Sequence, residues 1–210
     1  AFSSVCRCGL LELDPSLRLL PGVRRLSLAH NRLSRVDFLQ DCASLEELDL
    51  SHNRLVSVEN VHAVVGNLRS LKLRGNLIAL TAGLERMFSL EDVDLSDNRI
   101  HALEEAGRLS TLPLVRRVWL EGNPLEEEEG KAYRVTVLSL LYKGRGADLD
   151  RMARLVNKNT FGGASAGRGV GEEEDTADGG PVGVALDGRL PSRKEIGQLT
   201  QLCFTKAAEV

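Results

Sequence analysis

A pattern of aliphatic residues with one asparagine recurs five times along this chain and dominates what it can fold into. Each copy follows the order L-x-x-L-x-L-x-x-N-x-L, with valine or isoleucine at some leucine positions. The asparagines are Asn31, Asn53, Asn76, Asn98 and Asn123, so successive copies lie 22, 23, 22 and 25 residues apart. Five matches in one register predict a solenoid, in which each copy is a structural unit that must stack on its neighbours.

The positions within one copy have separate physical roles. In the L-x-L segment two buried side chains alternate with an exposed one, which is the pattern of a short strand with one buried face. The asparagine follows where the chain turns, and its amide can satisfy backbone groups that the turn removes from the ladder. Apolar residues between strands, such as Val58, Val61 and Val65, have the spacing of a short helix or 3₁₀ turn. The sequence therefore predicts an α/β leucine-rich-repeat solenoid, with a curved parallel sheet on the concave side, short helices on the convex side and a C-terminal cap.

Composition and pattern divide the 210 residues into five parts. They are residues 1–22, a degenerate N-terminal capping repeat; 23–125, the five regular repeats; 126–143, a C-terminal cap helix; 144–183, a Gly- and Glu-rich insertion that we expect to be disordered; and 184–210, a continuation of the cap that ends in an amphipathic helix. In the capping repeat we assign Cys6 and Cys8 to the inward strand positions and Leu11 to the asparagine position. Ser192 and Glu195 have the spacing of a capping box, so the last helix should begin there.

The cap helix after the fifth repeat begins with an acidic run, Glu126–Glu129. Carboxylates suit the positive end of a helix dipole, although the run could instead be a patch for a basic partner. Tyr133, Val137 and Leu141 follow at helical spacing, and we expect them to cover the last layer of the solenoid.

No arrangement of residues in the sequence points to catalysis. There is no nucleophile elbow, Walker loop or zinc-protease motif, and the G-x-G-x-G in the Gly-rich stretch neither follows a strand nor opens a helix. Cys6 and Cys8 have no second pair with zinc-binding spacing. His30 and His52 each precede a template asparagine and should stack as a polar ladder, since a metal site made from this pair would lack a third ligand. We therefore expect a non-enzyme without metal or cofactor.

The variable strand positions should form three rows across the concave face. The rows are Arg25, Glu47, Ser70, Asp92 and Arg117; Ser27, Asp49, Lys72, Asp94 and Trp119; and Ala29, Ser51, Arg74, Ser96 and Glu121. The candidate partner-binding residues among them are Arg25, Glu47, Asp49, Lys72, Arg74, Asp92, Asp94, Arg117, Trp119 and Glu121. Mixed charge and a near absence of stacking aromatics disfavour nucleic acid and favour a protein partner. Trp119, the chain's single tryptophan, is either an interface hot spot or is covered by the cap.

The composition also indicates the cellular compartment in which the chain is expected. Four cysteines without a disulfide framework are expected to be reduced, which favours the cytoplasm. A net charge of −3 gives no general attraction to an anionic membrane, and no apolar run is long enough to span one, so direct membrane insertion is not expected. The chain starts at Ala1 rather than methionine, and we expect it to be a piece of a longer protein.

Several segments resemble known intracellular repeat proteins. The repeat period, Gly122-Asn123-Pro124-Leu125 and the Tyr133-Arg134 helix are similar to the SDS22-like class and its cap. A resemblance to the leucine-rich region of the nischarin family covers nearly the whole chain. It rests on the run from Leu13 to Pro21, Gly66-Asn67-Leu68, Asn123-Pro124-Leu125 with Tyr133-Arg134, and Leu186-Asp187 followed by Lys194-Glu195. Residues 144–183 depart from that family in being longer and richer in Gly and Glu.

The nischarin resemblance implies a cytoplasmic and endosomal scaffold. Such a scaffold joins a phosphoinositide-binding PX domain to the repeats, binds an integrin cytoplasmic tail and restrains Rac and p21-activated-kinase signalling in cell migration. This chain shows no PX domain, so phosphoinositide binding would belong to domains outside it. Two alternatives stay open: an SDS22-like regulatory subunit that grips a phosphatase or another enzyme, and a structural spacer with no partner of its own.

Overall fold

The computed structural model describes residues 2–5, 7–15, 22–40, 42–143, 145, 148, 149, 151–154 and 183–207. Within them a seven-stranded parallel sheet runs in sequence order from β1 to β7. The strands are β1 Phe2–Ser4, β2 Arg25–Ser27, β3 Glu47–Asp49, β4 Ser70–Lys72, β5 Asp92–Asp94, β6 Arg117–Trp119 and β7 Ala185–Leu186. The absence of crossovers means that each strand pairs only with its neighbours in the chain, as stacked repeats require.

The strand register matches the repeat pattern. The middle residues of β2 to β6 pair in sequence order as Leu26, Leu48, Leu71, Val93 and Val118, and Val118 then pairs with Leu186 of β7. All six are at most 2% exposed, because the same face of every strand points into the core. The predicted leucine-rich-repeat solenoid is confirmed.

Short helices occupy the segments between strands and after the last repeat. They are α1 Val61–Val64, α2 Leu103–Arg108, α3 Pro124–Glu129, α4 Tyr133–Leu141 and α5 Arg193–Ala207, with 3₁₀ turns at Leu84–Arg86, Leu109–Thr111 and Gly130–Ala132. Val58, Val61 and Val65 are buried in the same core cluster as the strand leucines. None of the helices in the described ranges has both the length and the apolar character needed to cross a membrane.

The asparagine amides tie each repeat to the one before it. Asn53 donates through Nδ2 to the carbonyl oxygens of Leu28 (3.0 Å) and Leu50 (2.9 Å), and its Oδ1 accepts from the Leu33 amide at 3.1 Å. The same three bonds recur at Asn76, Asn98 and Asn123. One buried side chain in each repeat therefore satisfies three backbone groups in two layers.

A left-handed corner precedes each of these amides. The residue before the asparagine position has positive φ in six successive layers: Arg7, His30, His52, Gly75, Asp97 and Gly122. This conformation costs a residue with a Cβ about 1 kcal/mol, so a shared backbone turn is imposed on unlike residues. The corners also stack on one another: a Cβ built on Gly75 would lie 2.6 Å from Nδ1 of His52.

The first layer has a different register from the predicted one. Ser3 of β1 pairs with Leu26, which puts Val5 at the second inward position and Cys8 at the asparagine position. Our assignment of Cys8 to an inward strand position and of Leu11 to the asparagine position is wrong by three residues, and Leu11 is 61% exposed. Cys6 lies outside the described residues.

Asn31 explains why the first layer can do without an asparagine of its own. Its Oδ1 accepts from the amides of Cys8 (3.2 Å) and Leu10 (3.1 Å), and its Nδ2 donates to the Val5 carbonyl at 2.8 Å. Because each amide reaches back to the preceding layer, the first layer is held by the asparagine of the second.

The ordered cap extends beyond residue 144, where the insertion was expected to begin. Residues 148, 149 and 151–154 are helical, and Leu149 and Met152 are buried in the core cluster. The Tyr142 hydroxyl lies 3.3 Å from the Met152 sulfur. Leu149 and Met152 are apolar and three residues apart, which is a helical spacing. The polar residues around them made this pattern hard to recognise in the sequence. Residues 155–182, which contain the Gly- and Glu-rich stretch, lie outside the described residues.

We expect the replacement Asn53→Ala to lower the free energy of unfolding by about 3 kcal/mol, since it leaves buried backbone groups in two layers without partners. The measurement is urea unfolding followed by circular dichroism. Arg54→Ala is the matched control, because Arg54 is exposed next to Asn53 and bonds through its backbone to Leu33. Equal losses for the two variants would contradict the bridging role of the amide.

Candidate protein-binding surface

The exposed positions of the strands form the rows that the sequence predicts. Arg25, Glu47, Ser70, Asp92 and Arg117 pair in order across β2 to β6, and so do Ser27, Asp49, Lys72, Asp94 and Trp119. In the third row Ala29 and Ser96 are buried, so that row exposes mainly Arg74 and Glu121. The sheet thus brings the ten candidate residues onto one face.

Ion pairs between adjacent strands neutralise much of the first row. Arg25 Nε lies 3.0 Å from Glu47 Oε1. Arg117 makes a bidentate pair with Asp92, with Nε and NH2 each 2.6 Å from a carboxylate oxygen. The bidentate geometry orients the side chains of Arg117 and Asp92 relative to each other.

Arg74 in the third row is paired with a residue that the sequence argument missed. Its Nε lies 2.8 Å from Oδ2 of Asp97, the corner residue of the next repeat. The signal was present in the pattern, since Asp97 occupies the position before Asn98 just as His52 does before Asn53.

The middle row carries acidic side chains that are held in place without a cation. Asp49 Oδ1 accepts from the Ser51 amide at 2.9 Å, and Asp94 Oδ1 accepts from the Ser96 amide at 3.0 Å. Lys72 lies between them on the adjacent strand and is exposed. Among the described residues, neither aspartate has a basic side chain within 4.0 Å and Lys72 has no carboxylate within that distance.

Trp119 lies between the open face and the cap. It is half-buried and lines an open depression of about 460 Å³ together with Lys72, Asp92, Asp94 and Arg117. Its other side meets the cap, where a Cβ built on Gly188 would lie 3.4 Å from the indole Nε1. The cap therefore supports one edge of the ring, and another edge is exposed in the depression.

Asp187 closes the sheet next to Trp119. Its Oδ1 accepts from the amides of Leu120 (2.8 Å) and Glu121 (3.1 Å), and its Oδ2 accepts from the Tyr133 hydroxyl at 3.1 Å. Burial and the nearby Asp187 carboxylate raise the pKa of Tyr133, so this hydroxyl stays protonated and donates. The Leu120 amide, whose counterparts Leu28, Leu50, Leu73 and Leu95 donate to a carbonyl of the next strand, is thus satisfied by a side-chain carboxylate.

Arg134 and Tyr142 fasten the segment that carries Asp187. Arg134 donates to the carbonyl oxygens of Leu186 (2.7 Å), Arg189 (2.8 Å) and Leu190 (3.1 Å), and the Tyr142 hydroxyl both accepts from and donates to the backbone of Val184. Burial raises the pKa of Tyr142 to about 12, which keeps the donor in place at neutral pH. Sequence reasoning placed Tyr133 on the capping face but found no role for Arg134 or Tyr142, because their partners lie more than forty residues away.

The last helix begins at the predicted capping box. Glu195 Oε2 accepts from the Ser192 amide at 2.7 Å, and the Ser192 hydroxyl accepts from the Glu195 amide at 3.3 Å. Glu195 also lies 2.7 Å from Arg134 Nε. Burial alone would raise the pKa of this carboxyl, but the Ser192 bonds and the Arg134 charge outweigh burial and hold the pKa below its usual value.

Two other sequence features lie away from the concave rows. The rings of His30 and His52 stack with centroids 4.4 Å apart and planes 14° from parallel, so their in-plane nitrogen lone pairs do not converge on a common ion. In the described parts of the chain no group of three or more His, Cys, Asp or Glu could hold a metal. The acidic run lies in α3, where Glu126 Oε2 accepts from the Gly122 amide at 2.7 Å, and Glu128 pairs with His101 at 3.0 Å.

Comparison with known proteins supports the repeat architecture. Residues 21–62 match the family model described as leucine-rich repeats (2 copies). The human serine/threonine-protein kinase 11-interacting protein is 40% identical over 117 residues, which cover 55% of this chain and 11% of that protein's length. The chain therefore corresponds to a small part of that relative.

Two solved structures superpose on this chain at low sequence identity. A leucine-rich-repeat protein of Leptospira interrogans superposes with a TM-score of 0.51 at 22% identity, over 60% of this chain and 32% of that one. A chain of the Drosophila melanogaster SNF/U2A' complex has a TM-score of 0.48 at 14% identity, over 95% of this chain and 79% of that one. The first of these likenesses agrees with the solenoid described above and concerns the fold alone.

We expect Glu195→Gln to destabilise the protein at neutral pH and to have little effect in acid. A carboxyl whose pKa is lowered on folding contributes stability above its unfolded pKa, here near 4.5, and loses it as pH falls through the folded value. Urea unfolding of both proteins at pH 7 and at about pH 3 measures the difference. Glu127→Gln, at an exposed position on α3, is the control; a Glu195→Gln deficit that persists unchanged in acid would contradict the assigned role of the charge.

Proposed function

We propose that this chain is a non-catalytic protein-binding module of a signalling scaffold, and that its partner lies against the concave face. The observation that carries the proposal is the depression that extends from β3 to β6 on that face, where Trp119 is half-buried beside Asp94. A partly exposed tryptophan on a rigid, partly charged surface has the character of an interface hot spot. Its ring is supported by the cap, so little ordering is needed when a partner binds.

The buried polar side chains support binding rather than catalysis. In the described residues they are Asn31, Asn53, Asn76, Asn98, Asn123, Thr81, Ser96 and Glu105. The asparagines hold the repeats together, and Glu105 holds Thr81 of the preceding repeat through Thr81's backbone amide (2.6 Å) and its hydroxyl (2.9 Å). These groups are engaged in the fold itself, as is typical of leucine-rich-repeat interaction modules.

The finer proposal is a nischarin-like scaffold in the cytoplasm and on endosomes that binds an integrin tail or members of the Rac and p21-activated-kinase pathway. Support comes from the sequence resemblance, whose residues Tyr133, Arg134, Asp187 and Glu195 together build the cap. The human relative is named as an interacting protein of serine/threonine-protein kinase 11, which adds a serine/threonine kinase as a candidate partner. The nischarin resemblance and the human relative both favour a regulator of kinase signalling, and we propose this class of protein as the partner.

The test is capture of purified candidates by the immobilised chain. The candidates are Rac, p21-activated kinase, integrin-tail peptides, serine/threonine kinases and phosphatase catalytic subunits. Binding of a kinase-pathway protein supports the proposal, and binding of the phosphatase alone favours an SDS22-like regulatory subunit. Failure of the folded chain to capture any of them favours the structural spacer.

For the partner captured, we expect Trp119→Ala to weaken binding at least about tenfold, as for a hot spot, and to lower the melting temperature by only a few degrees. Calorimetric titration and thermal unfolding measure the two effects. Phe88→Ala is the control, since Phe88 is 64% exposed and lies outside the concave rows. Intact affinity with a large loss of stability would show that Trp119 only packs against the cap.

A further inference from the structure

The concave face has an uneven distribution of unpaired charge. Arg25, Arg117 and Arg74 are each committed to a carboxylate. Asp49, Asp94 and Glu121 have no basic side chain within 4.0 Å among the described residues, and Lys72 is the cation of these rows that the same residues leave unpaired. A partner surface that complements this face should therefore bring a positive charge.

Asp94 and Trp119 are the place where that charge fits. They are direct neighbours on β5 and β6 and point to the same side of the sheet, at the interstrand spacing of about 4.8 Å. Asp94 Oδ1 is fixed by the Ser96 amide at 3.0 Å and the Ser96 hydroxyl at 2.5 Å, while its second oxygen accepts no hydrogen bond from the described residues. The site thus offers a fixed carboxylate oxygen beside an aromatic ring.

A guanidinium group matches both features at once. It is planar, stacks on an indole face and donates in-plane hydrogen bonds to a carboxylate, whereas an ammonium group is a compact, strongly hydrated charge. The chain's own Arg117 precedes Trp119 by two residues on the same face, but its guanidinium makes the bidentate pair with Asp92. We infer that the concave face recognises a protein segment through an arginine side chain that stacks on Trp119 and pairs with Asp94.

Lys72 adds a second requirement for the sequence of the partner's segment. It lies on the other side of Asp94, one strand further from Trp119. Two strand spacings, about 10 Å, separate it from the tryptophan, which an extended segment covers in three residues. A carboxylate about three residues from the arginine would satisfy Lys72, and a second basic residue there would be repelled.

This inference rests on the proposed binding function, and its test uses a defined probe. The probe is a short acetylated peptide with one arginine and a glutamate three residues away, compared with the same peptide carrying uncharged citrulline. Because Trp119 is the only tryptophan, its fluorescence reports binding at the site directly. We expect a saturable change with the arginine peptide and an affinity at least about tenfold weaker for citrulline, since a hydrogen-bonded ion pair is lost.

Asp94→Asn tests the carboxylate, and Glu104→Gln is its control. An asparagine at position 94 can still accept the backbone bond from Ser96, whereas Glu104 is exposed on α2, outside the concave rows. We expect Asp94→Asn to weaken arginine-peptide binding at least about tenfold and Glu104→Gln to change it less than about twofold. Equal losses in the two variants, or equal binding of the arginine and citrulline peptides, would overturn the inference.

The two proposals can fail separately. Capture of a kinase-pathway partner with loss of binding in Trp119→Ala, but no discrimination between the two peptides, would leave the binding function standing and remove arginine recognition. Arginine-selective binding that depends on Asp94 would support the inference, even if every protein in the capture panel failed.

Discussion

The structure depends on one interaction, the buried asparagine amide that bonds to two layers at once. A strand of three residues cannot hold its neighbour by backbone bonds alone, and each turn out of the sheet leaves carbonyl and amide groups facing the core. The amide supplies two donors and one acceptor at this point. It therefore sets the height of each layer and the register of the next strand, and the concave rows are a consequence of that register.

The sequence predicted the parts of the molecule that repeat. Leucine and asparagine spacing determined the solenoid, the buried faces of β2 to β6 and the neighbours in each row, because these features follow from a local pattern stacked upon itself. The capping box at Ser192 was equally local. The first layer was placed three residues too late because it has no asparagine to mark its register, and Cys8 at that position gives no comparable signal.

The parts that could not be predicted depend on contacts between distant segments. Asp187 reaches the amides of Leu120 and Glu121, and Arg134 holds the carbonyls around Leu186, although long stretches of chain separate the partners. The rows could be written from the sequence, but which arginine pairs with which carboxylate depends on side-chain geometry. The position of Trp119, supported on one edge and open on another, required both the cap and the sheet.

The column of left-handed corners makes neighbouring repeats depend on each other in the choice of side chain. His52 extends over the corner of the next repeat, where a Cβ on Gly75 would clash with its ring. The rings of His30 and His52, at the two preceding corners, stack face to face. A bulky residue at one corner thus requires either a glycine or a stackable ring at the next. Substitutions at the corner residues of neighbouring repeats therefore depend on each other. One repeat can replace another only if its corner residue fits the corner residue of the repeat that follows.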